Sequence, residues 1–321
     1  MIFEKQIEKV FRSTLYRRCD DDGSTFYFSH KNFKGLSAQP YTFVSSMGNT
    51  LKGYFYSYEN PNEDRLIIFD HGFGGGHRSY MKEIEMLCRR GYKVFSYDHT
   101  GCMESEGENT NGFAQSLRDL DDCITALKKD SSVNTADISV IGHSWGGFST
   151  MNIAALHPDI THIVVISGFV SVEEMVKQNF AGLLKGYRKH IFGVEQKANP
   201  DYVGYNGVNT LSKTDAKVLL VYSSDDALVK KEIHFDALKK SLAGKENIEF
   251  LLVESKGHNP NYTQEAVKLL GEFADAKRRA TKNDALQTAE QKENFKNSFD
   301  WDKITEQDQR VWEKIFEVLE K

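Results

Sequence analysis

The chain has 321 residues, 40% hydrophobic and 27% charged, a balance that excludes a disordered or collagen-like polypeptide. Its 41 Lys and Arg against 46 Asp and Glu leave a formal charge of −5. No basic run is long enough to track a phosphate backbone, which argues against nucleic acid as a partner.

Met1 to Arg18 is charged and amphipathic, lacks the apolar core of a signal peptide, and carries only a weak helix pattern over Phe3–Phe11. Tyr41–Ser45 and Leu51–Tyr58, joined through Met47-Gly48-Asn49-Thr50, predict a hairpin at a sheet edge. Arg65–Asp70, Lys93–Tyr97, Asp137–Ile141, His162–Ser167, Lys217–Tyr222 and Ile248–Val253 predict six further strands. Several are rich in Val, Ile and Leu without clean alternation, as strands covered on both faces are. Helical spacing over Tyr80–Arg90, Phe113–Lys129, Phe148–Leu156 and Lys230–Leu242 falls between them. Strand and helix in repetition predict an α/β, doubly wound, mostly parallel sheet.

Two segments break the rhythm. Ser171–Ala216 is too long for one crossover, and its Phe180, Leu184, Tyr187 and Ile191 fall at helical steps on one apolar face. Thr263–Asp300 is a Lys, Glu and Ala-rich helical stretch, read either as a solvated surface pair or as a second cover over a site. A final helix with Val311, Trp312, Ile315, Phe316 and Leu319 on its apolar face is expected to open at Thr305, with Asp308 three residues on. The longest uncharged apolar stretch, Thr161–Val172, is well short of the roughly 18–20 residues that span a bilayer. Cys19, Cys88, Cys102 and Cys123 form no C-x-x-C pair and read as free thiols. The expectation is a cytoplasmic protein with no integral membrane segment.

The chemistry concentrates at strand ends. Gly142-His143-Ser144-Trp145-Gly146 follows a strand and precedes a helix, the setting in which a strained turn lifts a serine hydroxyl above the sheet. That hydroxyl needs a base, and the base needs a partner to hold its tautomer. Ser224-Asp225-Asp226 follows the strand ending at Tyr222, and Gly257-His258 follows the strand ending at Val253, giving the chain order Ser, Asp, His. The loop His71-Gly72-Phe73-Gly74 can present backbone amides to an oxyanion, with Phe73 and Trp145 as the two donors. No phosphate-binding glycine motif, metal-ligand spacing or cofactor motif is present, so no metal and no cofactor is expected.

In this order the four motifs resemble the α/β-hydrolase superfamily, over roughly residues 40–260 plus the last helix, and within it the monoacylglycerol-lipase and serine-aminopeptidase-like branch. The resemblance implies Ser144 as nucleophile, Asp226 rather than Asp225 as acid, and His258 as base. It also places a lid over 171–216, inserted in a core of residues 1–170 and 217–321; the apolar stripe then predicts that Phe180, Leu184 and Tyr187 contact substrate, and the helical insertion at 263–300 is longer than the family's usual connection. Thr100 and Met103 depart from the arginine and glycine usual in that family's loop, and Ala227 and Lys230 from its prolines. The activity implied is cleavage of small to medium, partly apolar carboxylic esters through an acyl-enzyme. A small-molecule ester is the expected partner. The alternatives are a peptidase or amidase of the serine-aminopeptidase type and a non-catalytic binding protein on the same fold.

Overall fold

The eight strands are β1 (Ser37–Val44), β2 (Thr50–Ser57), β3 (Asn62–Asp70), β4 (Tyr92–Tyr97), β5 (Ile138–His143), β6 (His162–Ile166), β7 (Lys217–Ser223) and β8 (Ile248–Val253). In the computed structural model, which describes residues 3–321, they form one sheet of order β1-β2-β4-β3-β5-β6-β7-β8. Antiparallel pairing is confined to β1–β2 and β2–β4, and every other pair is parallel. The expected hairpin is present, with Tyr41 opposite Gly53 and Gly48 taking the left-handed turn position at φ 85°.

The helices are α1 (Glu4–Leu15), α2 (Met81–Arg89), α3 (Gln115–Lys129), α4 (Trp145–Asn152), α5 (Val172–Asn179), α6 (Arg188–Ala198), α7 (Gly207–Leu211), α8 (Phe235–Leu242), α9 (Gln264–Lys282), α10 (Ala289–Asn297), α11 (Trp301–Ile304) and α12 (Gln309–Leu319). Alternate residues of the central strands feed two cores. Ile67, Ile141, Val164 and Leu219 meet Ile84 and Leu87 of α2 and Trp312 and Ile315 of α12. Ile68, Val140, Val165 and Leu220 meet Leu120 and Ile124 of α3, Phe148 of α4 and Leu238 of α8. Covering on both faces is why these strands read as unbroken apolar runs.

Two expectations are corrected, and one open alternative is decided. The stripe from Phe180 to Ile191 does not lie on one helix: α5 ends at Asn179, a 3-10 turn covers Gly182–Tyr187, and α6 begins at Arg188. Gly182 adopts φ 56°, and the Arg188 guanidinium takes the carbonyls of Lys177 and Phe180, both at 2.7 Å, which closes the end of α5. The last helix opens at Asp308, not Thr305. The Asp308 carboxylate accepts from the Arg310 amide at 3.0 Å and from Lys256 Nζ at 2.6 Å, whereas Thr305 terminates α11. The 263–300 stretch is a surface helix pair: α9 buries only Ala266 and Phe273, α10 buries nothing, and Phe273, Phe295, Phe299 and Trp301 cluster beneath them. None of its residues lines the cavity over Ser144.

Candidate active site

Ser144 sits between β5 and α4 with φ 57° and ψ −110°, a conformation rarely populated by a residue with a side chain. Its neighbours are glycines of necessity. A Cβ on Gly142 would collide with Thr150 Oγ1 and the Gly146 carbonyl, and one on Gly146 with the backbone of Asp70. The Ser144 amide is spent on the Ile166 carbonyl at 2.8 Å, which ties the turn to β6.

Beyond it, β7 and β8 deliver the two partners. His258 Nε2 lies 2.8 Å from Ser144 Oγ, and His258 Nδ1 lies 2.8 Å from Asp226 Oδ2. A carboxylate only accepts, so the proton sits on Nδ1 and Nε2 is free to accept from the serine hydroxyl. Asp226 Oδ1 also takes the amides of Leu228 at 2.8 Å and Val229 at 3.0 Å. Burial pushes the Asp226 carboxyl up. The His258 hydrogen bond and charge and those two amides outweigh burial and hold it below the usual carboxylate range. The neighbouring Asp225 faces elsewhere: it receives Ser223 Oγ at 2.6 Å and the Gly257 amide at 2.9 Å, bracing the loop that carries His258.

The loop after β3 runs beside the serine. The Gly72 amide donates to Tyr80 Oη at 3.0 Å, so the next amide along is that of Phe73, which lines the cavity. Trp145 is the first residue of α4, and amides of a first helical turn have no partner within the helix. Its indole Nε1 is fixed by the Phe113 carbonyl at 2.6 Å. Both sequence-derived oxyanion donors therefore sit on the segments that flank Ser144.

Two residues with supporting positions were not singled out by the sequence. Tyr80 Oη accepts from Gly72 and, because the His258 carbonyl can only accept from His143 Nε2, donates to His143 Nδ1 at 2.8 Å. His143 Nε2 then faces the His258 carbonyl at 2.8 Å and must carry the ring proton. Burial, then the nearby His258, lowers the His143 pKa to about 3, which keeps the ring neutral. The loop after β3, the Ser144 turn and the His258 loop are joined by these bonds. Underneath, fully buried His99 lies 3.1 Å from Asp70 Oδ1 and 3.3 Å from Asp119 Oδ2, ionic approaches outside hydrogen-bond geometry. Burial opposes its charge, but Asp70 and Asp119 prevail and raise its pKa to about 10.

A cavity of about 730 Å³ opens onto Ser144 and His258. Phe180 and Leu184 are among its lining residues; Tyr187, also expected there, is not, and packs against the core just before α6 begins. The wall opposite comes from α1: Ile7, Val10, Phe11 and Leu15 face in. The signal was available, since these four fall at steps of 3, 1 and 4, one face of a helix. Cys102 is fully buried and is not among the lining residues. Among the described residues no group of three or more His, Cys, Asp or Glu could hold a metal ion, and no helix is long and apolar enough to cross a membrane.

Comparison with known proteins agrees with this architecture. The family model described as serine aminopeptidase, S33, matches residues 61–256. A monoglyceride lipase of Rattus norvegicus is 32% identical over 116 residues, 36% of this chain and 36% of that protein. A proline iminopeptidase of Saccharolobus solfataricus is 28% identical over 129 residues, 39% of this chain and 40% of that protein. The chain spans about two-fifths of the length of the curated relatives it matches. Among solved structures, the Pyrococcus furiosus esterase Pf2001 superposes with a TM-score of 0.59 at 18% identity, covering 83% of this chain and 95% of that one, and so shares the fold. With the matched segment spanning more than half its length, the chain belongs to the serine aminopeptidase S33 family of α/β hydrolases.

Proposed function

We propose that the protein is a serine hydrolase that cleaves carboxylic esters of small to medium, partly apolar substrates through an acyl-enzyme. The observation that carries this reading is the hydrogen-bonded series Ser144–His258–Asp226 at the floor of a cavity with apolar walls. Ser144 Oγ attacks the ester carbonyl carbon as His258 Nε2 takes its proton, and the amides of Phe73 and Trp145 receive the developing oxyanion. The bond to the alcohol then breaks, His258 returns the proton to the leaving oxygen, and a water molecule repeats the sequence to release the acid. Asp226 holds the imidazole in the tautomer that each step needs. Segment 171–216 serves as a lid over the core, with Phe180 and Leu184 against the acyl group.

Ester rather than peptide cleavage is favoured by what the cavity lacks. Among the described residues its lining holds no Asp or Glu, so no carboxylate there pairs with the free amino terminus of an aminopeptidase substrate. The related monoglyceride lipase supports the same preference. A fluorophosphonate probe should label wild type at Ser144. Ser144→Ala should lose that labelling and about four orders of magnitude of p-nitrophenyl ester turnover, with its circular dichroism unchanged. Labelling at a different serine, or faster turnover of aminoacyl amides than of esters, would refute the reading.

A further inference from the structure

We infer that α1 is a specificity-determining wall of the active site, and that the substrates are esters whose apolar acyl chain, several carbons long, runs from Ser144 toward this helix. The inference rests on the esterase reading of Ser144 and adds where the acyl chain goes and what selects its length. Residues 4–15 lie outside the segment that matches the family, 61–256, yet they supply one side of the cavity. Ile7, Val10, Phe11 and Leu15 turn toward it, flanked by Gln6 and Thr14, while Glu4, Glu8, Lys9 and Arg12 stay out of the lining.

The helix is seated by polar and aromatic contacts. Glu8 accepts from His190 of α6 at 2.9 Å, and Tyr16 Oη donates to Glu195 of α6 at 3.0 Å. The Phe11 ring meets Phe180 edge-on at 6.0 Å and Phe113 at 6.3 Å between centroids. The same rings line the cavity, so the contacts that dock α1 also shape the space beside Ser144. Val10 is 66% exposed and Leu184 43% exposed, yet both belong to the lining, which places them at its mouth. Each methylene that an acyl chain extends along these side chains gains apolar contact.

The test compares ethyl and dodecyl fluorophosphonates for rate of labelling at Ser144, and p-nitrophenyl acetate and octanoate for kcat/KM, on the full chain. Val10→Asp places a charge at the apolar mouth without disturbing a buried position, and should lower the long-to-short ratio about tenfold in both assays. Phe11→Ala should lower it as well. Lys9→Asp, the same new side chain one residue away on the outward side, should keep the wild-type ratio. Ratios within about twofold of wild type for Val10→Asp and Phe11→Ala, with esters still cleaved and Ser144 still labelled, overturn the role of α1 alone. Failure of both probes to label Ser144 in wild type overturns the esterase reading, and the inference with it.

Discussion

At the Ser144 turn, backbone packs on backbone: Gly142 and Gly146 leave no room for a methyl group, and the serine itself is held at positive φ. In the helices above it, side chain meets side chain. Phe11 on Phe180, Glu8 on His190 and Tyr16 on Glu195 hold α1 against the 172–198 segment. The first construction tolerates almost no change in residue type and therefore writes a recognisable string into the sequence. The second is satisfied by any apolar stripe of suitable shape. A shared chemistry can thus sit under a cover that differs widely among relatives.

The sharpest way to test the rigid region is to exchange single atoms within it. Asp226→Asn should lower kcat by about 10⁴, because an amide in that place no longer enforces the His258 tautomer. Asp225→Asn should cost far less, since its remaining Oδ1 can still receive Ser223 Oγ and the Gly257 amide. A reversed order in steady-state kinetics would move the acid by one residue. Gly146→Ala should destabilise the fold by about 3 kcal/mol or more, the added methyl meeting the Asp70 backbone, where no rotamer can yield. A urea midpoint like that of wild type would show that the turn is softer than its packing implies.

The side-chain seam should respond to pH instead. Burial raises the Glu195 carboxyl to about 7, against the Phe113 amide and Tyr16 hydroxyl that favour its charge. An unfolded glutamate ionises near 4.3, so the folded state holds the proton more tightly. Its contribution to stability is therefore lost as pH rises from about 4.3 to about 7, and is level above that. Between pH 5 and pH 8, the fall in Tm should be smaller in Glu195→Gln than in wild type, by on the order of 2–4 °C. Equal falls would mean that the seam does not titrate.

The contrast also explains what could be read in the sequence. The inner strands were legible because two-sided burial demands unbroken apolar runs, and the largely exposed first strand through its hairpin turn; strand-end loops in fixed order offered Ser144, His258 and the pair Asp225-Asp226, between which the family resemblance chose. The site's cover was only half legible. Phe180 and Leu184 were found through a helical spacing that the chain does not follow, since the turn at Gly182 interrupts it. Ile7, Val10, Phe11 and Leu15 carried a true helical spacing, but one amphipathic helix announces only that it packs somewhere. Its destination depends on residues more than a hundred positions away, such as Phe113, Phe180 and His190. Tyr80 and His143 escaped for a related reason: their hydrogen bonds link three loops that no local pattern connects.

In the series from Gly72 through Tyr80 and His143 to the His258 carbonyl, every donor points the same way. Aligned bonds polarise one another, and reversing the one between Tyr80 and His143 would leave an unprotonated Nε2 facing the His258 carbonyl. The array therefore has a single stable polarity, with one proton, on His143 Nε2, at its end. Buried and hydrogen-bonded, that proton should exchange slowly with solvent and give its own downfield nuclear magnetic resonance signal. A tilt of the Gly72 peptide when an oxyanion forms, or a shift of the His258 loop, would move that one resonance, making His143 a built-in spectroscopic reporter on both halves of the machinery.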